Sequence, residues 1–298
     1  MSLTDTLFAN LFSEKAKSLS ERIIVRLALA GFVIHLIIIG LVDFGYYQVN
    51  DRDGLLSNPI SSLYTPFSFV LVYEVYLLVF YLPQSFTKYI GKQYEIISLI
   101  VIRRIFKDLA ELELNASFFQ NHNDIRFMYN VFTVILLFLL IYFFYRLNAY
   151  PSPQTNAAEV NDRTIAFIYT KKRISLILFQ ILVILTIYSL LNWAKNNFFS
   201  AKQLLSAVSD INKIFFDQFF TILILTDVLL LLISFEHSDR FSTVMRNSGF
   251  VISTVLIKLS FGATGFINNM LILTAVLFGV IMLWIYRRYH RIESELDA

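Results

Sequence analysis

The sequence predicts an all-α integral membrane protein: eight transmembrane helices as two parallel four-helix repeats, both termini cytoplasmic. Three observations carry that expectation. Hydrophobic residues make up 57% of the 298, and the mean hydropathy is +0.63, above the balance of a soluble domain. Apolar stretches of about 20 residues, the length that crosses a hydrocarbon core, recur along the chain. Finally, an apolar stretch centred on an acid is followed by one centred on a base, and this happens twice. Phe67-Ser-Phe-Val-Leu-Val-Tyr-Glu74 resembles Phe220-Thr-Ile-Leu-Ile-Leu-Thr-Asp227, and Ile96-Ile-Ser-Leu-Ile-Val-Ile-Arg103 aligns without gaps to Val251-Ile-Ser-Thr-Val-Leu-Ile-Lys258.

The elements follow in order. Residues 1–20 are polar and mixed in charge, with no signal-peptide pattern. Leu7, Phe8, Leu11, Phe12 and Leu19 recur there at helical spacing around Lys15 and Lys17. That pattern fits an amphipathic segment on the membrane surface, or a flexible tail. The first repeat, 21–148, holds spans at Ile23–Tyr46, Leu63–Leu82, Tyr94–Leu114 and Phe127–Leu147. A linker, 149–170, carries Tyr150-Pro-Ser-Pro-Gln-Thr-Asn156, residues that end a helix and begin a loop. The second repeat, 171–291, holds Ile174–Trp193, Phe215–Phe235, Ser248–Ile267 and Asn268–Tyr286, and 292–298 is a tail.

Tyr94–Leu114 is the doubtful span. Its Glu95, Arg103, Arg104, Lys107, Asp108, Glu111 and Glu113 read by hydropathy as a surface helix, because a central charge costs roughly 2.5–3.5 kcal/mol on insertion scales. The internal likeness argues for a span. Phe106 falls on Phe261, and Thr133…Tyr145-Arg146 resembles Thr274…Tyr286-Arg287. Loop charge argues the same way. With eight spans, Arg22, Arg26, Lys88, Lys92, Arg146, Lys171, Lys172, Arg173, Arg287, Arg288 and Arg291 share one side, which the positive-inside rule makes cytoplasmic. The opposite loops are Gln48–Ser62, Asn115–Asp124, Lys195–Lys213 and a tight Gly265–Asn269 turn. An even number of spans per half makes the repeats parallel.

The acids and bases are the candidate ion or proton pathway. Glu74 with Arg103, and Asp227 with Lys258, are expected at matching depth on neighbouring antiparallel spans. Each pair either carries a charge or locks two helices together, and a buried pair by itself is weak support for stability. His35 and Asp43 share a face of the first span roughly 12 Å apart, a spacing open to a proton relay or to a histidine bonded to a neighbouring helix. The equivalent span carries Gln180, Thr186 and Asn192 instead. The pairs Arg104–Asp108 and Lys107–Glu111 explain the charges of the doubtful span more plainly than voltage sensing does. Glu236-His-Ser-Asp239 reads as a solvated turn rather than a metal site.

Other classes find no support. The chain has no cysteine, hence no disulfide or thiolate metal site. The net charge of +3 sits at span ends, with no interleaved basic and aromatic stretch for nucleic acid. The 30 Phe and 16 Tyr suit lipid-facing and interfacial positions. Nucleotide-loop, dinucleotide, serine-hydrolase, zinc-protease and potassium-filter motifs are absent, so no catalytic residue, cofactor or metal is expected. Asn115-Ala-Ser117 fits a glycosylation triplet. Three functions stay open: a transporter or channel for an ion or small solute; a non-transporting scaffold or subunit of a larger membrane complex; and an intramembrane enzyme on a lipid or quinone, using His35, Asp43 and Glu74. The expected partners are the lipid bilayer, an ion or small solute, and a second copy or a membrane-complex partner. The expected location is a cell inner or plasma membrane, crossed several times.

Overall fold

The computed structural model describes residues 8–45, 59–110, 122–149, 162–197, 204–237 and 241–296. Among them the fold is all-helical. Eight long helices follow in order: α1 (Glu14–Asp43), α2 (Tyr64–Tyr81), α3 (Phe86–Ala110), α4 (His122–Ala149), α5 (Asp162–Asn197), α6 (Leu204–His237), α7 (Phe241–Phe261) and α8 (Gly265–Leu296). A short 3-10 turn, Pro59–Leu63, leads into α2. Four segments are long and apolar enough to cross a membrane: Glu14–Asp43, Asn123–Ala149, Gln218–Phe235 and Gly265–Ile292. They mark an integral membrane protein.

The patterning of α4 shows why. Ile125, Met128, Phe132, Ile135, Phe138 and Tyr142 form an exposed stripe at helical spacing. Asn130, Thr133, Val134, Leu137, Ile141 and Phe144 form the buried one. A stripe of large exposed apolar side chains is costly in water and favourable against lipid. On α1 most of the apolar side chains face outward, with Ala28, His35 and Ile39 buried.

Local chemistry sets the helix ends. Ser13 caps α1, its Oγ accepting from the Ala16 amide at 3.1 Å, with Glu14 in the first turn, where the helix dipole favours an acid. Residues 14–20 therefore belong to the first long helix. The N-terminal segment is also held: Tyr76 donates to the Leu11 carbonyl at 3.0 Å, and the buried Phe12 packs edge-on against Phe179. Ser85 caps α3 through the Lys88 amide at 3.3 Å, so this helix starts eight residues before the expected Tyr94. The tight turn after α7 lies at Gly262–Thr264, and Gly265–Asn269 is the first turn of α8. Gly265 takes a φ of 62°, a left-handed conformation that suits glycine. Asn268 closes the turn by donating to the Ser260 carbonyl.

The chain forms two compact units. Unit one is Met1–Leu77, Leu99–Phe132 and Leu178–Phe219; unit two is Leu78–Ser98, Thr133–Ile177 and Phe220–Ala298. Each draws on both sequence halves. The expected linker Tyr150–Asn156 and the triplet at Asn115 lie outside the described residues.

Candidate functional site

The polar groups of unit one come from α1 to α4. His35, 3% exposed, bonds through Nδ1 to the Thr65 hydroxyl at 2.6 Å, joining α1 to α2. Asp43, on the same face of α1, is exposed at the helix end and does not join that bond. Glu74 on α2 and Arg103 on α3 are both partly buried, and each engages other groups.

One turn beyond Arg104, Asp108 is buried and saturated. Its Oδ1 accepts from Arg126 Nε at 2.8 Å, and its Oδ2 accepts from Asn130 at 2.5 Å. Both donors come from α4. Asp108 also attracts Arg104 electrostatically, and its hydrogen bonds to α4 cross between helices. Lys107 and Glu111 lie outside the described side chains.

In unit two, α3, α6, α7 and α8 bring a second polar cluster together. Asp227 on α6 is fully buried. Gln93 of α3 donates to its Oδ2 at 3.0 Å. Its Oδ1 makes no hydrogen bond among the described residues, and neither does the Tyr89 hydroxyl, which faces the same carboxylate. Thr254 of α7 stands beside it. Tyr89 and Gln93 are four residues apart, so both project from one face of α3.

The expected Asp227–Lys258 pair does not form. Among the described residues, the groups acting on Asp227 are neutral. The reason is helix register. The α7 side chain that acts on Asp227 is Thr254. Lys258 lies one turn further, about 6 Å along the axis, and stands 6.0 Å from the centroid of the Phe261 ring.

Beside this cluster, the Tyr94 hydroxyl meets Ser253 Oγ at 2.7 Å, and Ser253 donates to the Ala275 carbonyl at 2.6 Å. Three helices, α3, α7 and α8, meet there. Gly279 on α8 lets the Tyr94 ring in, since a Cβ at that position would collide with its hydroxyl. Glu95, on the next position of α3, is held by Lys92 at 2.5 Å and by the Tyr145 hydroxyl at 2.5 Å.

The sequence reading missed Tyr89, Gln93, Tyr94 and Ser253. A helical signal existed, a glutamine buried within a turn of two buried tyrosines, but charge drew attention to Arg103 instead. Among the described residues, no group of three His, Asp or Glu is arranged to hold a metal ion. Glu236 to Asp239 lie outside the described side chains. What the fold and these clusters define is an all-helical integral membrane protein with buried polar groups between its helices. No family model matches the sequence, and neither a curated protein nor a solved structure is found to be similar to it.

Proposed function

We propose that this chain moves a cation or proton across a cell inner or plasma membrane, with Asp227 as the carboxylate that binds it. The observation carrying this is the state of Asp227: fully buried near the middle of an apolar segment and, among the described residues, with neutral partners and one oxygen without a hydrogen bond. A charge kept in an apolar interior is expensive unless it is paired. Such a carboxylate takes a proton or a cation from outside its own shell, and intramembrane acids of this kind mark ion and proton routes. Tyr89 is placed to share that proton or ligate that cation. Glu74 is the counterpart acid of the first half, with Arg103 and Lys258 as nearby cations that favour release.

In the same reading the architecture is eight spans in two parallel repeats, with Lys88, Lys92, Arg146, Lys171 and Arg287 at the cytoplasmic end. Two contacts support the duplication. Phe67 and Phe106 stack with centroids 4.7 Å apart, and Phe220 and Phe261 meet at 5.0 Å. Each pair joins the residue seven before the acid to the residue three after the base. Likewise Gly91 lies against Tyr145, and Arg246 covers Tyr286 at 4.4 Å. Gly91 and Arg246 both stand twelve residues before the base, and each tyrosine directly precedes an arginine.

The test is flux in proteoliposomes. Asp227→Asn keeps the shape and an oxygen for Gln93, and it is expected to lower proton or cation flux at least about 100-fold; Glu74→Gln should also lower it. Helix content and unfolding temperature should stay close to those of the parent. Normal flux in both variants would overturn the reading. A second reading, a non-transporting subunit of a membrane complex, draws on the Asp108 cluster, whose hydrogen bonds tie α3 to α4. Recovery of a stoichiometric partner in mild detergent, with no flux from the isolated chain, would favour it.

A further inference from the structure

We infer that the ion taken up at Asp227 is a proton, and that it settles on Oδ1. The inference rests on the reading of Asp227 as the ion-binding carboxylate and narrows what that carboxylate binds. Asp227 is fully buried, and its two oxygens are unlike. Oδ2 accepts from Gln93 Nε2 of α3 at 3.0 Å. Oδ1 makes no hydrogen bond among the described residues. The described groups that act on the carboxylate are Gln93 and Tyr89 of α3 and Thr254 of α7, all uncharged.

The donor on Oδ2 is the first feature that suits a proton. Gln93 turns its N–H, not its amide oxygen, to the carboxylate. A carboxyl protonated on Oδ1 keeps Oδ2 as a carbonyl oxygen, which accepts from that amide as before. A metal cation shared by both oxygens would face amide hydrogens, which carry positive partial charge. The second feature is Tyr89, whose buried hydroxyl has no hydrogen bond among the described residues and faces the same carboxylate. A phenol both donates and accepts. Its hydrogen can point to Oδ1 when the carboxylate is charged, and its oxygen can accept from Oδ1–H when the carboxyl is neutral. Rotation of one hydroxyl serves both states. Uptake forms one O–H bond on Oδ1 and removes one negative charge; release breaks that bond and restores the charge. The third feature is the supply of oxygens. An ion that sheds its water needs other oxygens in place of it, and hard divalent ions take about six to eight. Among the described side chains, those facing one another here are Asp227 Oδ1, the Tyr89 hydroxyl and the Thr254 hydroxyl, whose hydrogen goes to the Val251 carbonyl at 2.9 Å. A proton needs only Oδ1, and it ends the cost of a lone charge in an apolar interior.

The test is infrared difference spectroscopy of the full chain in lipid bilayers, parent minus Asp227→Asn, as the pH falls from about 9 to about 5. The carbonyl stretch of a neutral carboxyl is expected to grow in, to shift in heavy water, and to stay unmoved by sodium or potassium. Carboxylate bands that move when either cation is added, or no neutral carboxyl band over that range, overturn the proton. Gln93→Leu takes the donor from Oδ2 and should raise the frequency of the band; an unmoved band overturns the placing of the proton on Oδ1. Flux separates this inference from the reading it rests on. Proteoliposomes carrying proton, sodium and potassium indicators should show proton flux alone, at least about 100-fold lower in Asp227→Asn. Sodium or potassium flux that Asp227→Asn removes overturns the proton and leaves transport standing. No flux of any ion overturns transport, and the infrared band then decides by itself what Asp227 binds.

Discussion

Asp108 and Asp227 are both buried aspartates on helices, and they are in opposite states. Asp108 has a cation on one oxygen and an amide on the other. Asp227 has an amide on one oxygen and no hydrogen bond on the other. The first is a closed account: charge and hydrogen-bonding capacity are both met inside the protein. The second is met in part among the described residues, and the proposed transport rests on that difference. The comparison teaches that burial alone does not distinguish the two acids. What their oxygens touch does.

The largest expected difference between the two is functional. Asp227→Asn should remove flux, while Asp108→Asn should leave flux per folded molecule within about twofold and act on stability instead. Equal loss of flux in both would break the comparison.

Next comes the cation of the closed site. Arg126→Ala takes the bonded cation from Asp108 and leaves its Asn130 bond, and partial exposure of Arg126 softens the penalty. The expected loss is about 2–3 kcal/mol of stability in a denaturant titration, with flux per folded molecule again unchanged. No measurable loss would mean that the cross-helix bond does not hold α3 to α4.

Gln93→Leu sharpens the other side. It removes the hydrogen-bond donor given to Asp227 among the described residues and should cost about 2 kcal/mol. It should lower flux less than Asp227→Asn does, since the carboxylate remains. A variant more damaging than Asp227→Asn would place the binding function on Gln93.

The smallest effect concerns Lys171, a buried cation whose bonded partner is a neutral carbonyl. Its folded value, about 8, lies below the ordinary 10.5. Below about 8 the ammonium is charged in both states and its burial costs stability. Between about 8 and 10.5 the unfolded chain binds more protons than the folded one, so stability rises with pH. The gain should reach about 1 kcal/mol at pH 9 and vanish in Lys171→Gln. The check is the unfolding temperature at pH 7 and pH 9 for both proteins.

The helices themselves were legible. Apolar length points to α4 through the expected span Phe127–Leu147, because a run of about 20 apolar residues is a property of the segment itself. Asp227 stood out because a lone acid in an apolar run is conspicuous. Its partners did not. Gln93 and Tyr89 lie far away in sequence, in a helix whose many charges disguised its buried face. The expectation that Lys258 would answer Asp227 failed by one turn of α7.

By itself the sequence determined the class, an all-helical membrane protein, and singled out Asp227 as an acid in an apolar run. These follow from transfer energies and local periodicity, which are properties of single segments. Only the tertiary structure decided which acid is closed and which is open. Hydrogen bonds act over about 3 Å, and a shift of one helical turn moves a side chain by about 5 Å. The register between helices therefore chooses Arg126 for Asp108, and Gln93 rather than Lys258 for Asp227.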